Sequence, residues 1–323
     1  SLFKKYMKNF KNLMDFMAFF KTEKKCHEYL KSILWSESKY CPFCGSTHIN
    51  EYKSNFKKNR CYDCKKDFSI RKGTIFDDSR LSLQKWFMCI FLINSNKKGI
   101  SSCQLANQVG ITQKSAWFVL QRIREACKSK DFNKPFSGEI IEVDEAYIGG
   151  KEQNRHMKDR IKGVKKKAVV IGLIDRESKK VKAIKVEDAK ANTLQNEVYK
   201  NLKEGDILIT DESKAYHSIS NFRFNHQRVN HSQGEYSKQG FTNKQNEERK
   251  AFKIHTNSIE GFWSHLKRGI NGVYHWVSHK HIQKYCNEFV YKYDTRHLQN
   301  NERFVDCLKN ISNTKITYNN LIN

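Results

Sequence analysis

Two short apolar runs that end in acids, followed by a helical segment carrying a third acid, constrain the fold of this chain most. The first run is Glu139-Ile-Ile-Glu-Val-Asp-Glu-Ala-Tyr-Ile-Gly-Gly150, with Asp144 inside it. The second is Asp206-Ile-Leu-Ile-Thr-Asp-Glu212, with Asp211 near its end. The third segment, His255-Thr-Asn-Ser-Ile-Glu-Gly-Phe-Trp-Ser-His-Leu-Lys-Arg268, carries Glu260. Strand patterns cover 140–146, Ala168–Asp175, Val181–Val186 and Ile207–Thr210, with a helical pattern at 193–202 before the last of them. Closed by an acid-bearing helix, this is the element order of an RNase H-like α/β core. Carboxylates so placed gather hard oxygen ligands around Mg²⁺ or Mn²⁺, and two such ions can drive attack on a phosphodiester.

Charge says which phosphodiester. Lys and Arg total 60 of the 323 residues against 34 acids, a formal net charge of +26. An excess of that size favours a polyanion, and nucleic acid fits better than a membrane surface. The abundance of Lys and Asn also hints at AT-rich codons. Phe16-Met-Ala-Phe-Phe20, flanked by lysines, is too short for a secretory or membrane-spanning segment, and the start at Ser1 suggests a trimmed chain.

Of ten cysteines, four have metal-site spacing: Cys41-Pro-Phe-Cys44 and Cys61-Tyr-Asp-Cys64, sixteen residues apart. Two such knuckles supply four thiolates for tetrahedral Zn²⁺, the pattern of a zinc ribbon that folds around its metal. An iron–sulfur site or a redox pair is the alternative, and His48 reads as a solvated loop residue. The other six cysteines are scattered, which fits a reducing intracellular compartment. Arg60, Lys65 and Lys66 surround the second knuckle and are candidates to touch DNA.

Ahead of the ribbon, Phe3, Met7, Phe10, Leu13, Phe16, Met17 and Phe20 recur at helical spacing. After it, Ser101–Gly110 and 113–124 read as a short helix, a turn at Gly110, a Thr112 N-cap and a longer helix. That is helix-turn-helix grammar, with Gln113, Lys114 and Ser115 offered to the major groove; an ordinary helical hairpin reads the same way. The expected organisation is amphipathic helices over 1–36, the ribbon over 37–72 and the helix-turn-helix domain over 80–134. A catalytic domain over 135–298, with an insertion at about 221–253, and a tail over 299–323 of short helices or frayed chain complete it.

An acid at a strand end is most often a turn former or an ion-pair partner, and Glu142, Glu145, Asp175 and Glu212 lie in comparable places. Alternation puts Glu142 on the side of Asp144 and Glu145 on the other, so periodicity leaves the choice between Glu142 and Asp144 open. On a helical wheel Asn257, Glu260, Ser264 and Lys267 share one side and Ile259, Phe262, Trp263 and Leu266 the opposite one. Such a helix buries one face and presents a carboxylate, an amide and a lysine on the other. Arg268 beside Lys267, and Lys151 after the Gly149-Gly150 turn, are further candidates for DNA phosphate. Tyr274 and Trp276 are candidates to stack on unpaired bases; Trp263 reads as core.

The ribbon, Val143-Asp-Glu-Ala-Tyr-Ile-Gly-Gly-Lys151, Thr210-Asp-Glu-Ser-Lys-Ala-Tyr216 and His255-Thr-Asn-Ser-Ile-Glu-Gly-Phe-Trp263 together resemble transposases of the IS1595 group. That group includes the ISXO2-like domain and the related eukaryotic Merlin elements, and the resemblance runs from about residue 20 to about 298. It implies an RNase H-like core with a DDE-type site on Asp144, Asp211 and Glu260. Some members are described with Asn in the third role, which here falls on Asn257; a carboxylate is the stronger Mg²⁺ ligand and favours Glu260. The resemblance further implies recognition of terminal inverted repeats in double-stranded DNA, cleavage of those ends, and strand transfer into target DNA by at least a homodimer. Its setting would be the nucleus of a eukaryote or the nucleoid of a bacterium. A structure-selective nuclease or resolvase, and a domesticated non-catalytic DNA-binding regulator, are the competing readings; the intact acids argue against the second.

Overall fold

A computed structural model describes residues 10–149, 167–219, 223–230, 233–235, 237–241, 251–312, 314, 316–317 and 319–322. The chain divides into two units: Ser1–Cys127 with Thr295–Asn323, and Lys128–Asp294. No helix among the described residues is long and apolar enough to cross a membrane.

Local chemistry sets most boundaries in the first unit. Helices α1 (Leu13–Phe19) and α2 (Glu23–Leu34) begin at Asn12 and Thr22, whose side chains accept from backbone N–H groups of the first turn. Strands β1 (Ile49–Glu51), β2 (Asn59–Cys61) and β3 (Asp67–Phe68) form an antiparallel meander between and after the knuckles. Three more helices follow: α3 (Leu83–Ser95), α4 (Ser102–Val109) and α5 (Gln113–Ala126), capped by Ser82, Ser101 and Thr112. Gly110 closes α4 in the left-handed region at φ +65°, where only glycine sits without strain, so the chain turns directly into α5. The buried Arg122 on α5 donates to the carbonyls of Ile75, Asp77 and Ile316, tying three segments together.

The second unit is built on a five-stranded sheet. Its strands are β4 (Ile140–Ile148), β5 (Ala168–Asp175), β6 (Val181–Val186), β7 (Ile207–Thr210) and β8 (Asn225–Arg228), in the order β6-β5-β4-β7-β8. β4, β5 and β6 pair antiparallel, whereas β4–β7 and β7–β8 are parallel. Helix α6 (Ala191–Asn201) makes the crossover from β6 to β7 and covers one face, where Leu194 and Val198 meet Ile141, Val143, Ile171 and Leu173. Helices α7 (Asn257–Gly269) and α8 (Ile282–Asp294) cover the other, packing Ile259, Phe262, Trp263, Leu266 and Phe289 on Ala146, Ile148 and Val170. A sheet covered on both faces explains why every residue of β5 is buried and why its sequence is apolar up to the closing Asp175. Within 221–253 the described residues form β8 and an antiparallel pair, β9 (Lys238–Phe241) with β10 (Ala251–Ile254).

Among the last residues a short helix is ordered. Helix α9 (Asn300–Lys309) belongs to the first unit, where Phe304 joins a cluster of rings with Phe10, Phe16, Phe20 and Phe87. The buried Arg303 donates to the carbonyls of Asn94, Thr295 and Leu298. Sequence periodicity over ten residues says little about such a helix, because what orders it is a distant aromatic core.

Candidate active site

The paired residues of β4 and β7 are Ile140↔Ile207, Ile141↔Leu208 and Glu142↔Ile209, and continuing that register by two sets Asp144 beside Asp211. Asp144 thus lies midway along β4 and Asp211 just past the end of the parallel β7, close enough for the Asp211 charge to act on Asp144. Asp144 is half-buried; its Oδ2 accepts the indole N–H of Trp263 at 3.0 Å and its Oδ1 accepts the backbone N–H of Glu145 at 2.8 Å. Burial, then the charges of Asp211 and Glu145, raise its carboxyl to about 7. Asp211 accepts the N–H of Ser213 at 3.0 Å, a local turn that holds the carboxylate at the strand end.

Glu145 points to the α6 side, as alternation requires, and there accepts the buried Tyr216 hydroxyl at 2.7 Å. Its carboxyl is also raised, by burial first and with a contribution from Asp211. Three acidic groups therefore repel one another here, an arrangement that a divalent cation relieves. The Glu145–Tyr216 pair was not visible in sequence, although both residues lie inside the quoted motifs.

Glu142 and Asp175 are engaged in structural contacts. Glu142 is fully buried; its carboxylate accepts from Arg176 Nε at 2.5 Å, from the Ser258 hydroxyl at 2.8 Å, and from the N–H groups of Ser258 and Ile259 at 3.0 Å each. Helix α7 has no side-chain cap of its own, and Glu142 takes that role from across the core. Arg176 completes the clamp by donating to His255 Nδ1 and to the carbonyls of His255 and Lys253. Periodicity does not separate Glu142 from Asp144, but their partners differ: the Glu142 carboxylate is taken up by Arg176, Ser258 and Ile259. Asp175 is likewise absorbed in a turn, accepting from Gly138, Glu177 and Ser178.

On α7, Asn257, Glu260, Ser264 and Lys267 are exposed and Ile259, Phe262, Trp263 and Leu266 are buried. Glu260 Oε1 accepts the Thr256 hydroxyl at 2.8 Å. Trp263, only 4% exposed, crosses over Gly172, the residue paired with Asp144 on β5. A Cβ on Gly172 would lie 2.4 Å from Trp263 Cζ2, so the glycine is the seat that lets the indole reach Asp144. Helix α7 is in this way tied to β4 twice, through Glu142 and through Asp144. The acids do not close into a single-ion cage: among the described residues, the one group of three or more His, Cys, Asp or Glu residues with ligand atoms all within 4.8 Å of one another is Cys41, Cys44, Cys61 and Cys64.

That cysteine set fits a structural zinc. Its sulfur pairs Cys41–Cys64 and Cys44–Cys61 stand 3.7 and 3.6 Å apart, close to the edge of about 3.8 Å that a tetrahedron of Zn–S bonds requires. Gly45 and Lys65, each just after the second cysteine of a knuckle, take positive φ of 76° and 59°, which folds the turn back over the sulfurs. Backbone N–H groups of Cys64 and Asp63 pull the Cys61 thiol down to about 6, whereas Cys44, despite a backbone hydrogen bond at Ser46, is pushed up to about 12 by burial and the neighbouring sulfurs. His48 lies outside the set and is exposed, 3.3 Å from Asp63.

Among the expected DNA contacts, Lys65 and Lys66 are exposed, and Lys66 lies over the Phe43 ring. Arg60 is paired to Asp67 at 3.1 Å. At the start of α5, Gln113 and Lys114 are exposed; Gln113 donates to the Ser102 hydroxyl, and Ser115 is engaged with its N-cap Thr112. Lys267 and Arg268 are exposed at the end of α7, and Lys151 lies outside the described residues.

Residues 135–294 match the ISXO2-like transposase domain, and residues 21–67 match the transposase zinc-ribbon domain. An uncharacterized protein in transposable element ISH50 of Halobacterium salinarum is 26% identical over 231 residues, 67% of this chain and 77% of that protein.

Proposed function

We propose that this chain, which belongs to the IS1595-type (ISXO2-like) transposases, binds the terminal inverted repeats of its element, cleaves the ends and joins them to target DNA. The observation that carries the catalytic part is Asp211, just past the end of β7, standing near Asp144 on the adjacent parallel strand β4, with the Asp144 carboxyl raised to about 7. The sheet order, with three antiparallel strands continued by two parallel ones, supports reading the second unit as an RNase H-like core. The capped α4–Gly110–α5 turn supports the helix-turn-helix reading in the first.

Asp144 and Asp211 would hold Mg²⁺ or Mn²⁺, with Glu260 presented from α7 as the third acid and Asn257, one turn before it, as the substitute. When bound, such ions activate the attacking hydroxyl and stabilise the leaving oxygen of the phosphodiester. The chain's own residues do the rest. Trp263 fixes the Asp144 carboxylate, Glu142 and Arg176 fix the helix that carries Glu260, and Lys267, two turns from Glu260, meets phosphate. The ribbon and the start of α5 supply the contacts that place the ends, by salt-dependent attraction and by a few base-reading side chains. Because two ends are cut and joined, the working form is at least a homodimer on DNA.

The test is a cleavage and joining assay on labelled DNA carrying the ends that flank the gene. The expected result is metal-dependent nicks at the repeat boundary and joined products, both lost in Asp144→Asn and Asp211→Asn. Loss in Glu260→Gln with retention in Asn257→Ala assigns the third role to Glu260; the reverse assigns it to Asn257. Nicks without joined products point to a nuclease, and binding without either to a regulator.

A further inference from the structure

From Gly261 to Asn287 the sequence contains no Asp or Glu, while it carries Lys267, Arg268, Lys280, Lys284 and four histidines. The middle of this stretch is held in an unusual shape. Helix α7 runs on into one π-helical turn, Ile270–Tyr274, and the chain then reverses at His275, with φ 59° and ψ −47°. The N–H of Trp276 donates to the Tyr274 carbonyl at 2.6 Å, which closes a positive-φ γ-turn around His275. That turn is rare and strained for a residue with a side chain, and strain of this kind persists only where the surroundings enforce it.

Here they do. The Tyr274 hydroxyl donates to both carboxylate oxygens of the buried Glu288, at 2.8 and 3.1 Å, and Glu288 is in turn paired to the buried Lys292 at 2.5 Å. The Tyr274 ring meets Tyr285 edge-on at 4.8 Å, and Val277 packs on the same core cluster. Trp276, between these two anchored residues, is 71% exposed. Burying the indole would be favourable by itself, yet the turn is built to hold it out. A rigid aromatic plane inside an acid-free, basic stretch has the chemistry of a base-stacking platform, since every nucleobase offers a π-face and the backbone beside it offers charge.

We propose that Trp276 stacks on an unpaired nucleobase of bound DNA. The inference rests on the reading of this chain as a DNA-end-processing protein. Trp276 lies sixteen positions after Glu260, just past the helical segment that carries the glutamate, so the stacked base belongs to the DNA that α7 meets.

The test uses a mixed-sequence duplex and the same duplex interrupted by a short run of unpaired thymines, at low salt and without added divalent metal. Wild-type protein is expected to prefer the interrupted duplex. Trp276→Ala should lose that preference, by roughly five- to a hundredfold in affinity, while binding the intact duplex as before; Trp276→Phe should keep most of it. Equal preference in wild type and Trp276→Ala would overturn the proposal, as would Trp276→Phe behaving like Trp276→Ala. A change in oligomeric state by light scattering with the preference intact would make Trp276 a contact between copies instead, and also overturn it. Failure of wild-type protein to bind either duplex would count against the DNA-processing reading itself, a different result from binding that ignores Trp276.

Discussion

Replacing Gly172 by Ala adds one methyl group under the indole that holds Asp144. The new Cβ would lie 2.4 Å from Cζ2 and 2.8 Å from Cη2 of Trp263, and 2.8 Å from Cδ1 of Ile259. Ordinary carbon contacts begin near 3.5 Å, so the ring must retreat by about 1 Å. Ile259 and Trp263 are both buried, so the retreat meets packed neighbours, and overpacking of this kind costs about 1–3 kcal/mol. The same movement stretches the 3.0 Å bond from Trp263 Nε1 to Asp144 toward 4 Å, outside hydrogen-bond range, at a further cost of about 1.5–3 kcal/mol. Trp263→Phe removes the N–H without crowding Gly172, but it also removes part of a buried ring, so its stability loss includes a cavity cost. In urea unfolding both variants should lose stability, and both should weaken Mn²⁺ binding measured in the same samples. Wild-type unfolding and wild-type metal affinity in Gly172→Ala would refute the argument that the glycine seats the indole against Asp144.

The other expectations concern metal, pH and the helix clamp. Purified protein should carry one tightly held zinc by elemental analysis; Cys61→Ser should lose it together with protection of β1–β3 from hydrogen exchange, and unchanged zinc would reject the cysteine set. Because Asp144 must lose its proton to hold a cation, Mg²⁺ affinity should fall about tenfold per unit below pH 7 and level off above it; a flat titration from pH 5 to 8 would contradict the raised carboxyl. Metal-free stability should run the other way. A folded-state value of about 7 against 3.8 means that the unfolded chain releases its proton first, so stability falls as pH rises from about 4 to about 7, by up to about 4 kcal/mol. Glu142→Gln breaks the pair with Arg176 and sets an amide against the α7 N–H groups, so the unit should lose about 3–5 kcal/mol, with exchange at Ser258 and Ile259 rising first.

The parts of this molecule legible in sequence are those whose chemistry is local. Cys41, Cys44, Cys61 and Cys64 announce their sulfur cluster by spacing, Thr112 and Gly110 announce a helix start and stop, and the α7 wheel separates buried from exposed residues before any coordinates. What stayed hidden depends on pairing between distant segments. Alternation placed Glu142 and Asp144 on one side but held no word of Ser258, Ile259 and Arg176, the groups that consume Glu142. Gly172 looks like any glycine in an apolar run until Trp263 is seen lying on it. Tyr216 sat in a quoted motif, yet its bond to Glu145 follows only from the packing of the 210–216 segment against β4. The partners of the short helix Asn300–Lys309 stay hidden for the same reason, since they lie some two hundred residues earlier.

Manganese binding followed by electron paramagnetic resonance probes the acid pair itself, free of any need to know the DNA sequence. Wild-type protein, zinc already in place, should take up Mn²⁺ with a spectrum distinct from the hydrated ion. Asp144→Asn and Asp211→Asn should each abolish that signal, and Glu142→Gln should leave a weakened one. Uptake that is unchanged in both Asp144→Asn and Asp211→Asn would contradict the claim that these two carboxylates form the metal site.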